Sequence, residues 1–306
     1  YSYFEIIIVD NDSDKDSIKR IEDALIDCNL LKHSKIIAAD RNLGFAGGNN
    51  LGLSNSTGEY IALINPDTEP EKKWLEELVN AFHKRNDIAA CASRLMRYGS
   101  EIIDSAGDGF ASTLQGFKRG EGKHRKKYGK TVYVFGACAG AAMYRKSVLD
   151  KLGFFDEDYF LIHEDTDLNF RIQLAGWKVL YVPTACVFHK VRSSIGAMSD
   201  TAVYYSIRNR EFVRIKNVPF WIFIICLPEL IIGLLAEFVY FGIRHRKLSL
   251  YIRAKLDAIG MFPSMFGKRR QIMSCRKVSN RYLFSMITPI WKKDIFRIKT
   301  GKLING

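Results

Sequence analysis

The stretch Tyr60-Ile61-Ala62-Leu63-Ile64-Asn65-Pro66-Asp67-Thr68 limits what this chain can fold into more than any other. Residues suited to a buried strand run straight into Asn-Pro-Asp. A short apolar run closed by a turn signal reads as a strand covered on both faces. Pro66 has no N–H for a ladder, so the strand must stop there. Asp67 is then expected at the carboxyl end of a central strand, where open α/β sheets bind ligands. A buried carboxylate needs a partner. One is a divalent cation bridging to phosphate oxygens; the other is a helix starting near Glu71, with Asp67 a capping turn residue. The stretch alone leaves both open.

The same pattern opens the chain. Phe4–Val9 is a continuous apolar run that ends in Asp10-Asn11-Asp12-Ser13. Ile18, Ile21 and Leu25 have helical spacing, and Lys35–Ala39 reads as another short strand. The segment from Arg41 to Gly52 is rich in Gly and Asn, which suits either a ligand-approaching loop or a loop running into a helix start. It contains neither Gly-Lys-Ser/Thr nor Gly-x-Gly-x-x-Gly, so neither a P-loop nor a dinucleotide-binding turn is supported. Trp74, Leu75, Leu78, Val79 and Phe82 mark one face of a helix over Glu71–Arg85, and Ile88–Ser93 is a further strand. This alternation predicts an α/β fold with a mostly parallel sheet flanked by helices.

Residues 97–130 read as a surface loop or flap, with seven Lys and Arg against one Glu between Lys118 and Lys130. That run is either a solvated charge cluster or a lid that contacts phosphate. Val132–Phe135 is a strand leading into the small residues Gly136–Ala142. Leu168, Ile172 and Ala175 predict a helix that Gly176 ends, with Glu164 and Asp165 at its start. Asp167 and Arg171 are spaced for an i,i+4 ion pair. Asp165 is either a helix cap or a general base at a cleft. Lys178–Val182 is the last clear strand, which Pro183 should end, with His189 beyond it.

Charge separates the chain into two parts. From Arg244 to Gly306 there are 16 Lys and Arg against 2 Asp and Glu, whereas the first 243 residues carry 30 basic and 31 acidic. The excess follows an apolar segment, Phe220–Ile243, which points to an anionic membrane surface rather than nucleic acid. Glu229 and Glu237 make a clean membrane span expensive, so a broken helical hairpin lying on the membrane is expected. The division is residues 1–215 and a helical, membrane-associated region over 216–306. The six cysteines form no C-x-x-C pair, which excludes a zinc ribbon and a disulfide framework.

Taken in order, several motifs together resemble family 2 glycosyltransferases of the GT-A fold, in the bacterial rhamnosyltransferase-like branch. They are Phe4–Ser13, Asn42-x-Gly44-Phe45-Ala46-Gly47-Gly48-Asn49-Asn50-x-Gly52, Thr57-Gly58-Glu59-Tyr60, Asn65-Pro66-Asp67 and Glu164-Asp165-x-Asp167-Leu168. The resemblance implies inverting transfer from a nucleotide-sugar, in this branch deoxythymidine-diphosphate rhamnose, to a glycan or polyprenyl-linked acceptor at the cytoplasmic face of the bacterial inner membrane. It implies that Asp10, Asn11, Asn42, Gly44, Asn49 and Asn65 contact the donor. It makes Asp67 and His189 ligands of Mg2+ or Mn2+, Asp165 the catalytic base with Glu164 beside it, and Gly140 and Ala141 part of the acceptor-side loop. Members of the family begin with a strand and helix that have no counterpart before Phe4, so an N-terminally incomplete domain is expected. A non-catalytic relic that binds nucleotide or glycan is the second class this leaves open.

Overall fold

A computed structural model of the chain describes residues 3–14, 16–190, 196 and 198–292. The strands are β1 Ile6–Asp10, β2 Ser34–Ala38, β3 Tyr60–Ile64, β4 Thr68–Pro70, β5 Ile88–Arg97, β6 Ile103–Ser105, β7 Asp108–Ala111, β8 Gln115–Lys118, β9 Val132–Val134, β10 Ala141–Arg145, β11 Lys178–His189 and β12 Ile287–Thr288. The α-helices are α1 Ser17–Asp27, α2 Gly44–Ser54, α3 Trp74–His83, α4 Lys146–Leu152, α5 Glu164–Leu174, α6 Asp200–Asn217, α7 Phe220–Ile225, α8 Leu227–Glu237, α9 Leu248–Gly260, α10 Phe262–Ser274 and α11 Asn280–Met286.

Seven strands form the main sheet, in the order β3-β10-β5-β11-β4, with β6 on β5 and β9 on β11. The sheet is mixed, not mostly parallel: only the β5–β11 pairing is parallel within it. A parallel pair needs a long crossover, whereas β10 enters between β3 and β5 running the other way. Nothing in the apolar pattern of a strand records the direction of its neighbours.

β3 is an edge strand, which corrects its expected central position. Among the described residues it pairs only with β10, and β1 and β2 pair with each other as a separate parallel ribbon. Ala62 and Ile64 are accordingly exposed, Ile64 by 44%. The side chain of Glu5 ties the ribbon to the start of β3, accepting hydrogen bonds from Thr57 N–H at 2.6 Å and Gly58 N–H at 3.1 Å.

One open alternative is decided and two further expectations change. The Gly- and Asn-rich segment runs into a helix that starts at Gly44, where Ala46 is fully buried and a Cβ on Gly47 would lie 2.9 Å from Leu43. Residues 97–130 are not a surface flap. β6 pairs with β5, β7 pairs with β8, and Ile103 to Leu114 are buried apart from Asp108. Pro183 does not end its strand: β11 continues to His189 through a register shift between Val182 and Cys186 that absorbs the missing N–H.

α3 covers one face of the sheet through Trp74, Leu78, Val79 and Phe82 against Cys91, Leu95, Leu180 and Val187. α4 and α5 cover the other through Val148, Leu149, Leu168 and Ile172. A further core joins Phe110 of β7 and Phe170 of α5 to Phe212, Ile222, Leu230, Ala258, Met265 and Leu283 of the later helices. No described helix is long and apolar enough to cross a membrane. Glu237 is buried within this helical region, with its carboxylate 2.7 Å from Arg210 and 2.8 Å from Lys255.

Candidate active site

The first part of the site is built at the carboxyl end of β1. Asp10 ends the strand and is buried. Asn11 spans the turn before α2: its Oδ1 accepts the N–H of Leu43 at 2.8 Å, and its Nδ2 donates to the carbonyl of Gly44 at 3.1 Å and to Asn42 Oδ1 at 3.3 Å. Asn42 Oδ1 also accepts the N–H of Gly44 at 2.8 Å. Gly44 has φ 69°, and a Cβ there would lie 2.5 Å from Phe160. Only glycine fits that turn without strain. Asp10, Asn11, Asn42 and Gly44 therefore belong to one rigid corner. Asn49 is turned inward, donating to the carbonyl of Phe45 on its own helix at 2.8 Å.

The second part lies past β3. Asn65 N–H donates to Gly140 O at 2.9 Å, and Thr68 N–H to Asn65 O at 3.1 Å, so the turn folds tightly around Pro66 and Asp67. β4 then pairs with β11, with Thr68 opposite His189. This register brings Asp67 Oδ2 to 3.5 Å from His189 Nε2. His189 Nδ1 is 2.9 Å from Asp104 Oδ2. Asp104 sits on β6, is 1% exposed, and also accepts a hydrogen bond from Lys118 Nζ at 2.7 Å. Burial would raise the Asp104 pKa, but the bonds from His189 and Lys118 outweigh it and hold the carboxyl at about 2.

These residues fit a divalent cation. With Nδ1 hydrogen-bonded to Asp104, His189 turns its Nε2 toward the Asp67 carboxylate. An imidazole nitrogen and a carboxylate oxygen aimed at one point make a divalent-metal ligand pair, and a carboxylate behind the imidazole is a usual second partner of a metal-bound His. The protein offers two ligand groups, leaving further positions for phosphate oxygens and water.

The third part is the start of α5. Phe160, Ile162 and His163 all have positive φ, at 62°, 66° and 73°. That costly backbone is stitched down by Asn209 of α6, whose Nδ2 donates to the carbonyls of Tyr159, Leu161 and Ile162 at 2.8, 2.8 and 2.7 Å. Asp165 Oδ1 accepts its neighbour Thr166 N–H at 2.6 Å, and Oδ2 accepts Ala139 N–H at 3.4 Å. The loop before β10 is clamped by Asn169, which bonds Ala137 N–H and Ala137 O at 3.0 Å each. Gly140 and Ala141 follow directly, and Ala141 pairs with Ile64 of β3.

Burial raises the Asp165 pKa against the two backbone donors. Burial, and after it the nearby Asp165, raise Glu164 well above the ordinary carboxylate range, and its Oε2 has no hydrogen-bond partner, so the site favours its neutral form. The expected Asp167–Arg171 pair is present at 2.8 Å and fully buried, with Lys216 adding a second partner at 2.8 Å. Asp165 and Glu164 line a cavity of about 210 Å³ together with Asp108, Lys118, Cys138 and Phe117.

Asp67 and His189, expected as ligands of one metal ion, lie side by side, and Glu164 and Asp165 line one cavity, while Asn65 and Gly140, expected on the donor and acceptor sides, are joined by a backbone hydrogen bond. It missed Asp104 and Asp108 altogether and saw Lys118 only as the start of a charge run. The usable signal was the Ile-Asp-Ser and Gly-Asp-Gly steps inside the supposed flap, where an acid sits between small or apolar neighbours.

The glycosyl transferase family 2 model matches residues 1–153. Among curated proteins, the O-antigen biosynthesis protein RfbC of Myxococcus xanthus is 24% identical over 203 residues, covering 63% of this chain and 15% of that protein. The rhamnosyltransferase WbbL of Escherichia coli K12 is 27% identical over 203 residues, covering 57% of this chain and 76% of WbbL. The chain spans 15–36% of the length of the first three relatives it matches. Among solved structures, the mannosyltransferase PcManGT from Pyrobaculum calidifontis in complex with GDP-Man and Mn2+ superimposes with a TM-score of 0.52 at 12% identity, over 89% of this chain and 76% of that one.

Proposed function

Because this chain belongs to glycosyl transferase family 2, we propose that it moves rhamnose from a nucleoside-diphosphate donor to a glycan or lipid-linked glycan, inverting the anomeric carbon. The observation that carries this reading is a line of charged residues linking two sites. Asp67, His189, Asp104 and Lys118 follow one another at 3.5, 2.9 and 2.7 Å, and Lys118 lines the same cavity as Asp165. The first end suits a diphosphate and its cation, the second a hydroxyl that must lose a proton.

The chain's own residues would divide the work as follows. The corner of Asp10, Asn11, Asn42 and Gly44 receives the nucleoside. Asp67 and His189 would hold Mg2+ or Mn2+, which when bound offsets the charge growing on the diphosphate as the sugar–oxygen bond breaks. Asp165 accepts the proton of the acceptor hydroxyl as its oxygen attacks the opposite face of the sugar. The burial that raises its pKa makes it a better base than its place at a helix start would allow. The rhamnosyltransferase name of WbbL and the Mn2+ complex of PcManGT support the sugar and the metal.

The acceptor side suits a membrane. Phe220, Trp221, Ile225 and Leu235 are more than half exposed on α7 and α8, as are Leu256 and Ile259 on α9. Exposed apolar surface of this extent, followed by a basic tail, supports docking on an anionic lipid surface at the cytoplasmic face of a bacterial inner membrane. The deciding experiment measures metal-dependent release of nucleoside diphosphate from a panel of nucleotide-sugars by the protein in its full natural length. Release from deoxythymidine-diphosphate rhamnose, lost by about 10²–10⁴-fold in Asp165→Asn with donor binding kept, is expected. No release from any donor, or full turnover by Asp165→Asn, would overturn the reading.

A further inference from the structure

The basic run after Lys118 has no part in the transfer reaction described above, yet one of its residues helps to close a separate cavity. Pro183 has no N–H for the ladder, and β11 slips its register against β5 between Val182 and Cys186. Beside that bulge, opposite Cys186, stands Arg94 of β5. A cavity of about 440 Å³ opens there, a size usual for small-ligand sites. Arg94 reaches it from the sheet, Arg125 from the turn Arg125–Tyr128, and Lys72 and Lys73 from the approach to α3. It shares no lining residue with the cavity of Asp165, and neither Asp67 nor His189 borders it. His189 lies further along β11 from Cys186, about 10 Å away by the rise of a strand.

Arg94 is 8% exposed. Its Nε donates to Tyr181 Oη at 3.3 Å and its Nη2 to Tyr128 O at 3.4 Å. Both acceptors are neutral and both bonds are long, and Arg94 pairs with no carboxylate among the described residues. An arginine does not shed its charge inside a protein. A buried cation with only neutral acceptors is costly unless an anion reaches it. The surroundings add to the charge instead of cancelling it: the Arg119 guanidinium lies 4.8 Å from the Tyr128 ring centre and 5.5 Å from that of Tyr181. Two acids do border the cavity, but β11 engages both. Thr184 Oγ1 donates to Glu77 at 2.6 Å, and the Cys186 thiol bonds to Glu71. Among the described residues neither acid forms an ion pair with Arg94, Lys72 or Lys73, and Arg125 meets Glu101 only at 3.5 Å.

We propose that this cavity is a second anion site, which takes a phosphate or diphosphate group apart from the diphosphate end at Asp67 and His189. The planar fork of Arg94 suits paired phosphate oxygens, and the two lysines supply mobile point charges at the mouth. Four cations against two acids leave a net charge of +2 around the cavity, which suits a doubly charged phosphate better than a single carboxylate. A soluble phosphate and the headgroup of a polyprenyl phosphate present the same chemistry, and the experiment separates them.

Calorimetry with inorganic pyrophosphate, on the protein in its full natural length and in EDTA, reads the site without turnover and without a cation at Asp67. Binding is expected in the wild type and should weaken about 10–100-fold in Arg94→Gln, as charged hydrogen bonds are lost. Lys72→Ser combined with Lys73→Ser alters only exposed side chains and should weaken it about 2–10-fold, so a folding defect in Arg94→Gln leaves the inference exposed. The second arm is cosedimentation with phosphatidylcholine vesicles, with and without a polyprenyl phosphate. An increase on adding that lipid, lost in the lysine variant, assigns the group to a lipid. Pyrophosphate binding without such an increase assigns it to a soluble molecule. Absence of both would overturn the inference, as would binding that neither variant weakens.

Discussion

His189 gives Nδ1 to Asp104 at 2.9 Å and turns Nε2 toward Asp67 at 3.5 Å. One buried carboxylate on β6 thus fixes which nitrogen faces the diphosphate end of the site. Replacing it should be felt as a change in metal dependence. In Asp104→Asn the Mn2+ concentration for half-maximal nucleoside diphosphate release is expected to rise by about 10–100-fold, the usual cost of losing such a partner. Titrating Mn2+ at saturating donor measures it.

Asp167 tests stability apart from chemistry. It is fully buried between Arg171 and Lys216, and Asn217 Nδ2 donates to its Oδ1 at 3.0 Å. Asp167→Ala leaves the buried Arg171 without its carboxylate and Lys216 with Asp156 alone, and losses of this kind cost about 3–5 kcal/mol. Chemical denaturation should show this, with Asp165→Asn close to wild type in the same assay.

Glu237 makes the helical region sensitive to acid. Burial would raise its pKa, but Arg210, Lys255 and Arg214 outweigh that and lower it to about 2 from the ordinary 4.5. A lowered folded-state pKa means stability present above the unfolded value and lost as pH falls through the folded one. The contribution, about 3 kcal/mol, should therefore disappear between about pH 4.5 and pH 2. Thermal melts across that window should fall steeply for the wild type, while Glu237→Gln should start lower and fall less.

Gly44 tests the nucleoside corner. With φ 69° and Phe160 2.5 Å from the position of a Cβ, Gly44→Ala is strained both in backbone and in contact. A loss of about 1–3 kcal/mol is expected, together with weaker nucleotide binding through Asn11 and Asn42, read by calorimetry. Gly153→Ala, also at positive φ but with open space around it, is the control for backbone strain alone.

The membrane reading predicts a surface effect. Trp221→Glu and Leu235→Glu each remove an exposed apolar side chain that would enter the lipid boundary, a change of about 1.5–3 kcal/mol. Cosedimentation with anionic vesicles should weaken about tenfold or more for each variant, with no change in the melting temperature.

Legibility followed from how local each cause was. Asp67 and Asp165 could be found because a strand ending in Pro and a helix starting with acids announce themselves within a few residues. The Asp167–Arg171 pair needed only helical spacing. Asp104 and Asp108 could not be found this way, because their importance comes from pairing β6 with β5 and β7 with β8, which places them opposite residues far away in sequence. The edge position of β3 was hidden for a related reason: Tyr60–Ile64 is equally apolar whether it has one neighbour or two. Pro183 misled because a bulge, which spares the ladder, looks from sequence like a stop.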